Sequence, residues 1–321
     1  MATVTTAARL HFGFQNLALA HERLYGGVGL ALAEPRLVLE AERADGVACA
    51  DEDVAPYVRR AVEVLGVEGA AVTVDERYPR HVGLGSGTQL ALAAVVAVGR
   101  AYDRAVDVRR LAPALGRGGR SGVGVATFEH GGFVADGGHP TERFTAEPPA
   151  EGDWDVPPVV AHHDLPTDWR FVLVVPDAGP GQSGAEEDRS MRQTVERADP
   201  GIADEIAILL TRQLLPAVAT GDRRGFGQAA ARLGRLNGAW YADEQGGVYR
   251  PPAGQLVERL GDEPAITGAG QSSWGPAVWG LTDAEHVDVA RAAGQAALEA
   301  AGVDGQVQVV APRNEGARVR E

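Results

Sequence analysis

The chain reads as an α+β protein built in two units, and three features of its 321 residues point there. Strand-like and helix-like segments alternate without the regular strand–helix–strand march of a doubly wound sheet. A glycine-dense loop, Gly83 to Gly87, runs straight into an apolar helix. A stretch rich in Pro, Asp and Glu, residues 147–167, separates two halves that each hold strands and helices. The units are therefore expected at 1–166 and 167–321, a division that also suits a chain long for one core.

Taken in order, residues 2–14 and 28–43 read as strands, the second split by Glu34-Pro35, with His21 to Gly27 as a loop between them. Val54, Val58, Ala61, Val62 and Leu65 recur at helical spacing, which predicts a helix over 53–65 with Asp53 as its N-cap and Gly66 as its stop. Ala70 to Val74 is a short strand. Beyond the glycine loop, Leu90 to Val98 is an apolar helix, and Val108 to Leu115 is another, ended by Gly116. Gly122 to Phe128 and Gly132 to Ala135 read as a strand pair that closes the first unit. The second unit opens with the strand Trp169 to Val175, and Glu186 to Asp188 begin a helix. Ile202 to Ala219 and Asp222 to Leu236 fit two further helices. Ala265 to Thr267 lead into a loop over 268–276, followed by a strand at Ala277 to Leu281, a long amphipathic helix at Asp283 to Ala301 and a last strand at Gln306 to Val310. There is no internal repeat and no low-complexity tail.

Apolar residues at 45% and charged residues at 23% fit an ordinary globular protein. The formal charge is −14, and all 30 basic residues are Arg. An acidic, Lys-free chain lacks the basic face that general nucleic-acid binding needs. Adaptation to high salt and a GC-rich genome would both give this composition. Cys49 is the only cysteine, which rules out an internal disulfide and a thiolate metal cluster. No segment resembles a signal peptide or reaches the roughly 20 apolar residues of a membrane span, so a cytoplasmic protein without a membrane partner is expected.

The chemistry is concentrated in Pro79 to Gln89. Glycines at 83, 85 and 87 allow a tight turn and close approach to a ligand. Ser86 and Thr88 add hydroxyls, and a helix begins there with free N–H groups at the positive end of its dipole, a setting that suits phosphate. The Walker pattern is excluded, because it needs a Lys. Four further motifs accompany the loop in order: Arg9-Leu10-His11-Phe12-Gly13, Gly116-Arg117-Gly118-Gly119-Arg120-Ser121-Gly122-Val123-Gly124, Gly131-Gly132-Phe133-Val134-Ala135-Asp136-Gly137-Gly138-His139, and Gly270-Gln271-Ser272-Ser273-Trp274-Gly275-Pro276.

The loop by itself resembles the phosphate-loop signature of the GHMP kinase superfamily. Together with the other four motifs, and so over most of the chain, it resembles one branch, the β-ribofuranosylaminobenzene 5'-phosphate synthases of methanopterin biosynthesis. That resemblance implies an N-terminal unit like domain 2 of ribosomal protein S5 and a ferredoxin-like C-terminal unit. It implies a transferase that joins 4-aminobenzoate, or a related aryl acid, to phosphoribosyl diphosphate, releasing CO2 and diphosphate. Its partners would be those small molecules; a homodimer is a candidate assembly that the sequence leaves open. It needs no organic cofactor, and Mg2+ is a candidate ion.

Such a transition state requires donors for the departing diphosphate, a shielded cationic sugar and an aligned ring. Gly83, Gly85, Ser86, Gly87, Thr88 and Gln89 are the candidate diphosphate cradle. Arg117 and Arg120 are assigned to phosphate, with Ser121 and Gly122 beside them, since a guanidinium grips phosphate at two points. Arg9 and His11 are assigned to the aromatic acid or the sugar. Asp136 and His139 read either as a Mg2+ ligand and proton-transfer group or as a polar turn. Gln271, Ser272, Ser273 and Trp274 could line the site from the second unit, with the indole as a wall for the ring. Trp279 is left to the core. His162-His163-Asp164 is a bystander, because neighbouring side chains on an extended segment diverge. The stretch Asp177 to Asp188, with Gln182, Gly184 and Glu187, reads as a mobile cover or as a plain surface loop. A small-molecule kinase is the alternative activity, weakened because no carboxylate follows Ser121-Gly122 until Glu129. A ligand sensor that has lost catalysis is the third reading.

Overall fold

The computed structural model describes residues 1–145, 154–179 and 185–320. The first unit opens on a long antiparallel pair, β1 (Ala2–Asn16) and β2 (Arg23–Arg43), in register from Ala2↔Ala41 to Asn16↔Tyr25. The strand thus starts inside the expected His21–Gly27 loop. It also continues through Glu34-Pro35, because a bulge absorbs the proline's missing donor: Ala7 pairs with Arg36, but Arg9 pairs with Ala31. A short strand, β3 (Gly46–Cys49), follows, and then α1 (Ala55–Leu65). Asp53 does not cap α1. The N-cap is Val54, Asp51 accepts the amides of Val54 and Ala55 through its carbonyl, and the Asp53 carboxylate turns to Arg77 and Arg80. Gly66 ends the helix in the left-handed conformation, as its sequence position implies. After β4 (Gly69–Glu76) the glycine loop leads into α2 (Ser86–Ala101), which is buried nearly all round beneath the sheet.

Next come α3 (Val108–Leu111), a 3-10 turn over Pro113–Leu115, α4 (Val123–His130), β5 (Phe133–Asp136), β6 (His139–Pro140), α5 (Glu142–Thr145) and β7 (Val159–His163). Two expectations fail here. The segment Gly122 to Phe128 is helical, not a strand. Val123, Val125 and Ala126 are all fully buried, so its apolar pattern had no period to read. Gly124 lets α4 lie against Thr88 of α2, and the Asp136 carboxylate takes the Gly122 amide at the positive end of the helix. β7 lies within the expected connection and pairs with β5. Its residues alternate only between half-buried and exposed, which leaves a faint signal.

The strands of a second sheet begin with β8 (Trp169–Pro176), which is followed by the helices α6 (Ala185–Arg197) and α7 (Pro200–Leu209). A π turn at Leu210–Leu214 joins α7 to α8 (Leu215–Thr220), where Pro216 cannot supply an amide to the helical ladder. Then come α9 (Arg223–Trp240), capped by Asp222, α10 (Ala242–Gln245), α11 (Ala253–Gly261), β9 (Gly268–Gln271), β10 (Val278–Asp283), α12 (Val287–Ala301), β11 (Gly305–Val310) and β12 (Arg318–Arg320). The expected 268–276 loop is therefore shorter by the four residues of β9. α12 starts after Asp283 because that residue still pairs with Trp169 and its carboxylate accepts the Glu285 and His286 amides.

Two sheets result: one of eight strands, with the path β12-β1-β2-β4-β3 and with β5, β6 and β7 attached through β2, and one of four antiparallel strands in the order β11-β8-β10-β9. The second has the strand–helix–two strands–helix–strand order of a ferredoxin-like unit. Helix α9 lies between the sheets. Its Phe226 ring meets Phe12 of β1 at 5.8 Å, Phe133 of β5 at 5.8 Å and Trp169 of β8 at 5.0 Å. One core thus spans both sheets. Beyond β11 the chain returns to the first sheet, bridging Leu32 to Pro312 at the β2 bulge and pairing β12 with β1. No helix among the described residues is long and apolar enough to cross a membrane.

Candidate active site

A cleft of about 570 Å³ opens where the glycine loop, the 116–124 segment and the loop after β9 meet. Its geometry follows from how the glycine loop is held. The Gly83 carbonyl accepts from Arg9 Nη1 at 2.7 Å and from Ser272 Oγ at 2.8 Å. The Arg9 amide bonds the Leu84 carbonyl at 3.0 Å, and the Ala277 amide bonds that of Val82 at 3.1 Å. Gly83 has φ +93°, and a Cβ there would stand 2.2 Å from the Ser272 carbonyl oxygen, so glycine is obligatory. A Cβ on Gly85, φ +80°, would press on the Arg9 side chain. Ser86 and Gly87, whose first-turn amides have no carbonyl partner within α2, both line the cleft.

The positive charge lies around that helix start. Arg117 and Arg80 both stack on the Tyr57 ring, at 5.6 Å and 5.5 Å from its centre, and a Cβ on Gly87 would lie 3.3 Å from the Tyr57 hydroxyl and 3.5 Å from Arg117. The Nε atoms of Arg80 and Arg117 are buried without a hydrogen-bond partner among the described residues. Arg120 stands at the mouth, bonded to Glu187 and Asp188 of α6 at 3.0 Å each. Burial raises the Glu187 carboxyl, against the pull of Arg120, Arg9 and Arg117. Burial also lowers Arg9, to about 10, which leaves it charged at neutral pH.

Of the residues expected from sequence, Arg9, His11, Gly83, Gly85, Ser86, Gly87 and Thr88 line this cleft, as do Arg117, Arg120, Ser121, Ser273 and Trp274. Six do not. Gln89 is buried, accepting from Thr6 and donating to the Gly124 carbonyl at 2.9 Å, and so ties α2 to β1 and α4. The Gly122 amide is taken by Asp136 at 2.7 Å. Gln271 holds the Arg250 amide and the Ser273 carbonyl. Ser272 is fully buried and stitches three elements, accepting from the His11 amide while donating to Gly83. Asp136 has no exposure. Its oxygens accept from the amides of Gly27, Gly122 and Gly138 and from Ser121 Oγ, and burial lifts its carboxyl to about 6 despite those donors. His139 meets the Gly119 carbonyl and the Trp154 ring, beneath the cleft wall. Gln182 and Gly184 lie outside the described residues.

Sequence reasoning gave no role to Tyr57 and Phe14, which sit in ordinary helix and strand contexts, or to Arg80 and His81, which lie within Pro79 to Gln89; all four also line the cleft. His81 carries one visible clue, its place inside the glycine motif, and adopts φ +59°. Trp279 is core, packed on Phe12 at 5.0 Å. The aromatic end of the cleft is formed by His11, Phe14 and Trp274, where the His11 and Phe14 rings meet edge-on at 5.1 Å and Trp274 leans on Tyr241 at 4.4 Å. A hollow of about 40 Å³ continues behind it toward Asn237 and Tyr249, too small for a benzene ring by the measure of known cavities. Asn237 of α9 clamps the Phe14 backbone, accepting its amide at 2.7 Å and donating to its carbonyl at 2.9 Å. Among the described residues Glu187 is the one carboxylate lining the cleft, and no group of three His, Cys, Asp or Glu could hold a metal ion. That donor set does not fit a protein-held Mg2+; an ion entering with a diphosphate would be carried by the substrate's own oxygens.

Residues 53–132 match the family model for the GHMP kinases N terminal domain. The chain is 31% identical to the beta-ribofuranosylphenol 5'-phosphate synthase of Methanothermobacter thermautotrophicus over 98% of this chain and 97% of that protein. It is 33% identical to the synthase of the same name from Archaeoglobus fulgidus over 91% of each. Among solved structures, mevalonate diphosphate decarboxylase from Staphylococcus aureus superposes over 100% of this chain and 99% of its own with a TM-score of 0.67 and 14% identity, a likeness of fold.

Proposed function

Because the chain belongs to the beta-ribofuranosylphenol 5'-phosphate synthase family, we propose that it is a decarboxylating phosphoribosyltransferase, joining a para-substituted benzoate to phosphoribosyl diphosphate. The observation that carries this reading is the cleft itself, which brings the start of α2 and the side chains of Arg80, Arg117 and Arg120 together with an aromatic wall of His11, Phe14 and Trp274. The relatives' name contains a phenol, which favours 4-hydroxybenzoate over the 4-aminobenzoate of the sequence reading. Either substituent pushes electron density to the ring carbon that bears the carboxylate.

In this scheme the diphosphate lies on the Ser86 and Gly87 amides, with Thr88 Oγ1, Arg117 and Arg80 around it, donors fixed before the charge develops. Arg120 exchanges its carboxylate partners for a phosphate oxygen. The bond from the anomeric carbon to diphosphate breaks with its electron pair leaving on oxygen. The ring carbon supplies the pair for the new carbon–carbon bond. The bond to the carboxylate then breaks, its electrons restore the aromatic ring, and CO2 departs, so no proton is gained or lost overall. Phe14, Trp274 and His11 hold the ring in line and keep water from the sugar cation. Arg9 acts beneath the loop, through Gly83. We further propose that the chain divides near residue 166, so that the first unit supplies the phosphate cradle and the second supplies the Ser273–Trp274 wall.

A kinase is supported less well: the buried Asp136 carboxylate is saturated by four donors, and the one carboxylate in the cleft is paired with Arg120. The test is release of labelled CO2 from carboxyl-labelled 4-hydroxybenzoate or 4-aminobenzoate with phosphoribosyl diphosphate. Release dependent on both substrates is expected. ATP-dependent phosphorylation of a metabolite without CO2 release would replace this reading with the kinase, and binding of the sugar without turnover would leave a sensor.

A further inference from the structure

Three side chains from separate elements form a line that runs from the cleft, lined by His11 and Ser121, to the buried Asp136. His11 Nε2 of β1 lies 3.2 Å from Ser121 Oγ, and Ser121 Oγ lies 3.2 Å from Asp136 Oδ2 of β5. The Val123 amide also donates to Ser121 Oγ, at 3.2 Å. A hydroxyl has one proton and two acceptor positions. Asp136, raised only to about 6, is ionised at neutral pH and has no proton to give, so its Oδ2, which also accepts from the Gly27 amide at 2.9 Å and the Gly122 amide at 2.7 Å, can only receive from Ser121. One acceptor position of the serine is filled by Val123. The remaining contact, with His11, must then be one in which the imidazole donates.

From this we infer that Ser121 is a positioning residue, which, oriented by Asp136, holds His11 as the Nε2–H tautomer and leaves Nδ1 as a bare acceptor at the aromatic end of the cleft. Nδ1 has no partner among the described residues, and the ring borders both the cleft and the hollow behind it. Gly27 makes the line possible: a Cβ there would fall 2.0 Å from Ser121 Oγ and 2.9 Å from His11 Nε2. The charged group acting on His11 is Arg9, two residues along the same strand, and it reinforces the effect of burial in keeping the ring neutral. On the reading proposed above, Nδ1 accepts the hydrogen bond of the aryl hydroxyl as the ring carbon attacks and releases it when CO2 leaves. A ring this reluctant to take a proton polarises the hydroxyl without retaining its hydrogen.

The tautomer is measured on the ligand-free protein, apart from any reaction. In protein labelled with 15N-histidine, the His11 signals, assigned by their loss in His11→Gln, should show a protonated Nε2 and an unprotonated Nδ1. Ser121→Ala should release the ring into a mixture of tautomers. In turnover of 4-hydroxybenzoate, Ser121→Ala should lower kcat about 10- to 100-fold with KM for phosphoribosyl diphosphate unchanged, and Ser121→Cys should recover part of it. A wild-type His11 protonated on Nδ1, or an unaltered tautomer in Ser121→Ala, overturns the inference, and the wild-type spectrum decides even if that variant fails to fold. The expected spectra with no CO2 release from wild type would instead sink the proposed reaction and leave the hydrogen-bonded line standing.

Discussion

His11 and Asp136 show how burial sets the charge of single residues here. Burial, helped by Arg9, holds the His11 imidazole down at about 3, whereas burial raises Asp136 to about 6. An unfolded chain titrates histidine near pH 6.5. Below that pH the unfolded state binds a proton that native His11 refuses, so its share of stability is present above about pH 6.5 and is lost as pH falls toward 3. Asp136 acts oppositely: its contribution is present below the unfolded value of about 4 and is lost as pH rises through about 6. His11→Gln should therefore flatten the acid side of the stability curve, with a urea midpoint that falls less between pH 6.5 and 4 than in wild type. Parallel curves would mean that His11 is not buried neutral. Arg120 is a second single-residue case. If it trades Glu187 and Asp188 for a phosphate, Arg120→Ala should reduce kcat/KM for phosphoribosyl diphosphate by about 2 kcal/mol, ~30-fold, because a charged hydrogen bond is lost. Its thermal midpoint should scarcely move, since the pairs it leaves are partly exposed.

At the level of elements, the start of α2 works because other segments hold the preceding loop by its carbonyls. Arg9 of β1 and Ser272 after β9 both reach Gly83. Gly83→Ala combines an unfavourable φ with a contact on backbone, which cannot yield as a flexible side chain would. It should cost at least about 2 kcal/mol in urea unfolding. It should also weaken inorganic diphosphate binding about 10-fold or more by calorimetry. Unchanged diphosphate affinity in a folded Gly83→Ala protein would show that the loop amides are not the cradle. Residues 122–128 teach a related lesson about reading elements. Their valines favour a strand locally and their glycines disfavour a helix, but burial on every side and the acceptor offered by Asp136 make them a helix. A local preference of a few tenths of a kcal/mol per residue gives way to packing.

For the whole molecule, the feature that matters is α9, wedged between the sheets with Phe226 touching both. Phe226→Ala should cost about 3–5 kcal/mol, since the surrounding rings cannot collapse fully into the space. Because the core is shared, circular dichroism and tryptophan fluorescence should still report one coincident unfolding transition. Two separated transitions would mean that the sheets are independent units. The return of β12 to β1 works in the same direction, since it fastens the end of the chain to the first strand.

The sequence by itself determined the ingredients: a glycine loop before an apolar helix, arginine as the only basic residue, five ordered motifs and most of the strands and helices. Those are local properties, set by missing Cβ atoms, hydrophobic period and residue chemistry. Only the tertiary structure decided which motif residues face the cleft and which support it. Gln89, Ser272 and Asp136 look as functional in the sequence as Arg117 does, yet each is buried with its polar atoms taken by other segments. Tyr57, unmarked in the sequence, and Arg80, given no role although it lies within Pro79 to Gln89, stand beside the start of α2. The reason is that hydrogen-bond saturation depends on partners up to 261 residues away, as between His11 and Ser272, and no local pattern encodes which of them will arrive.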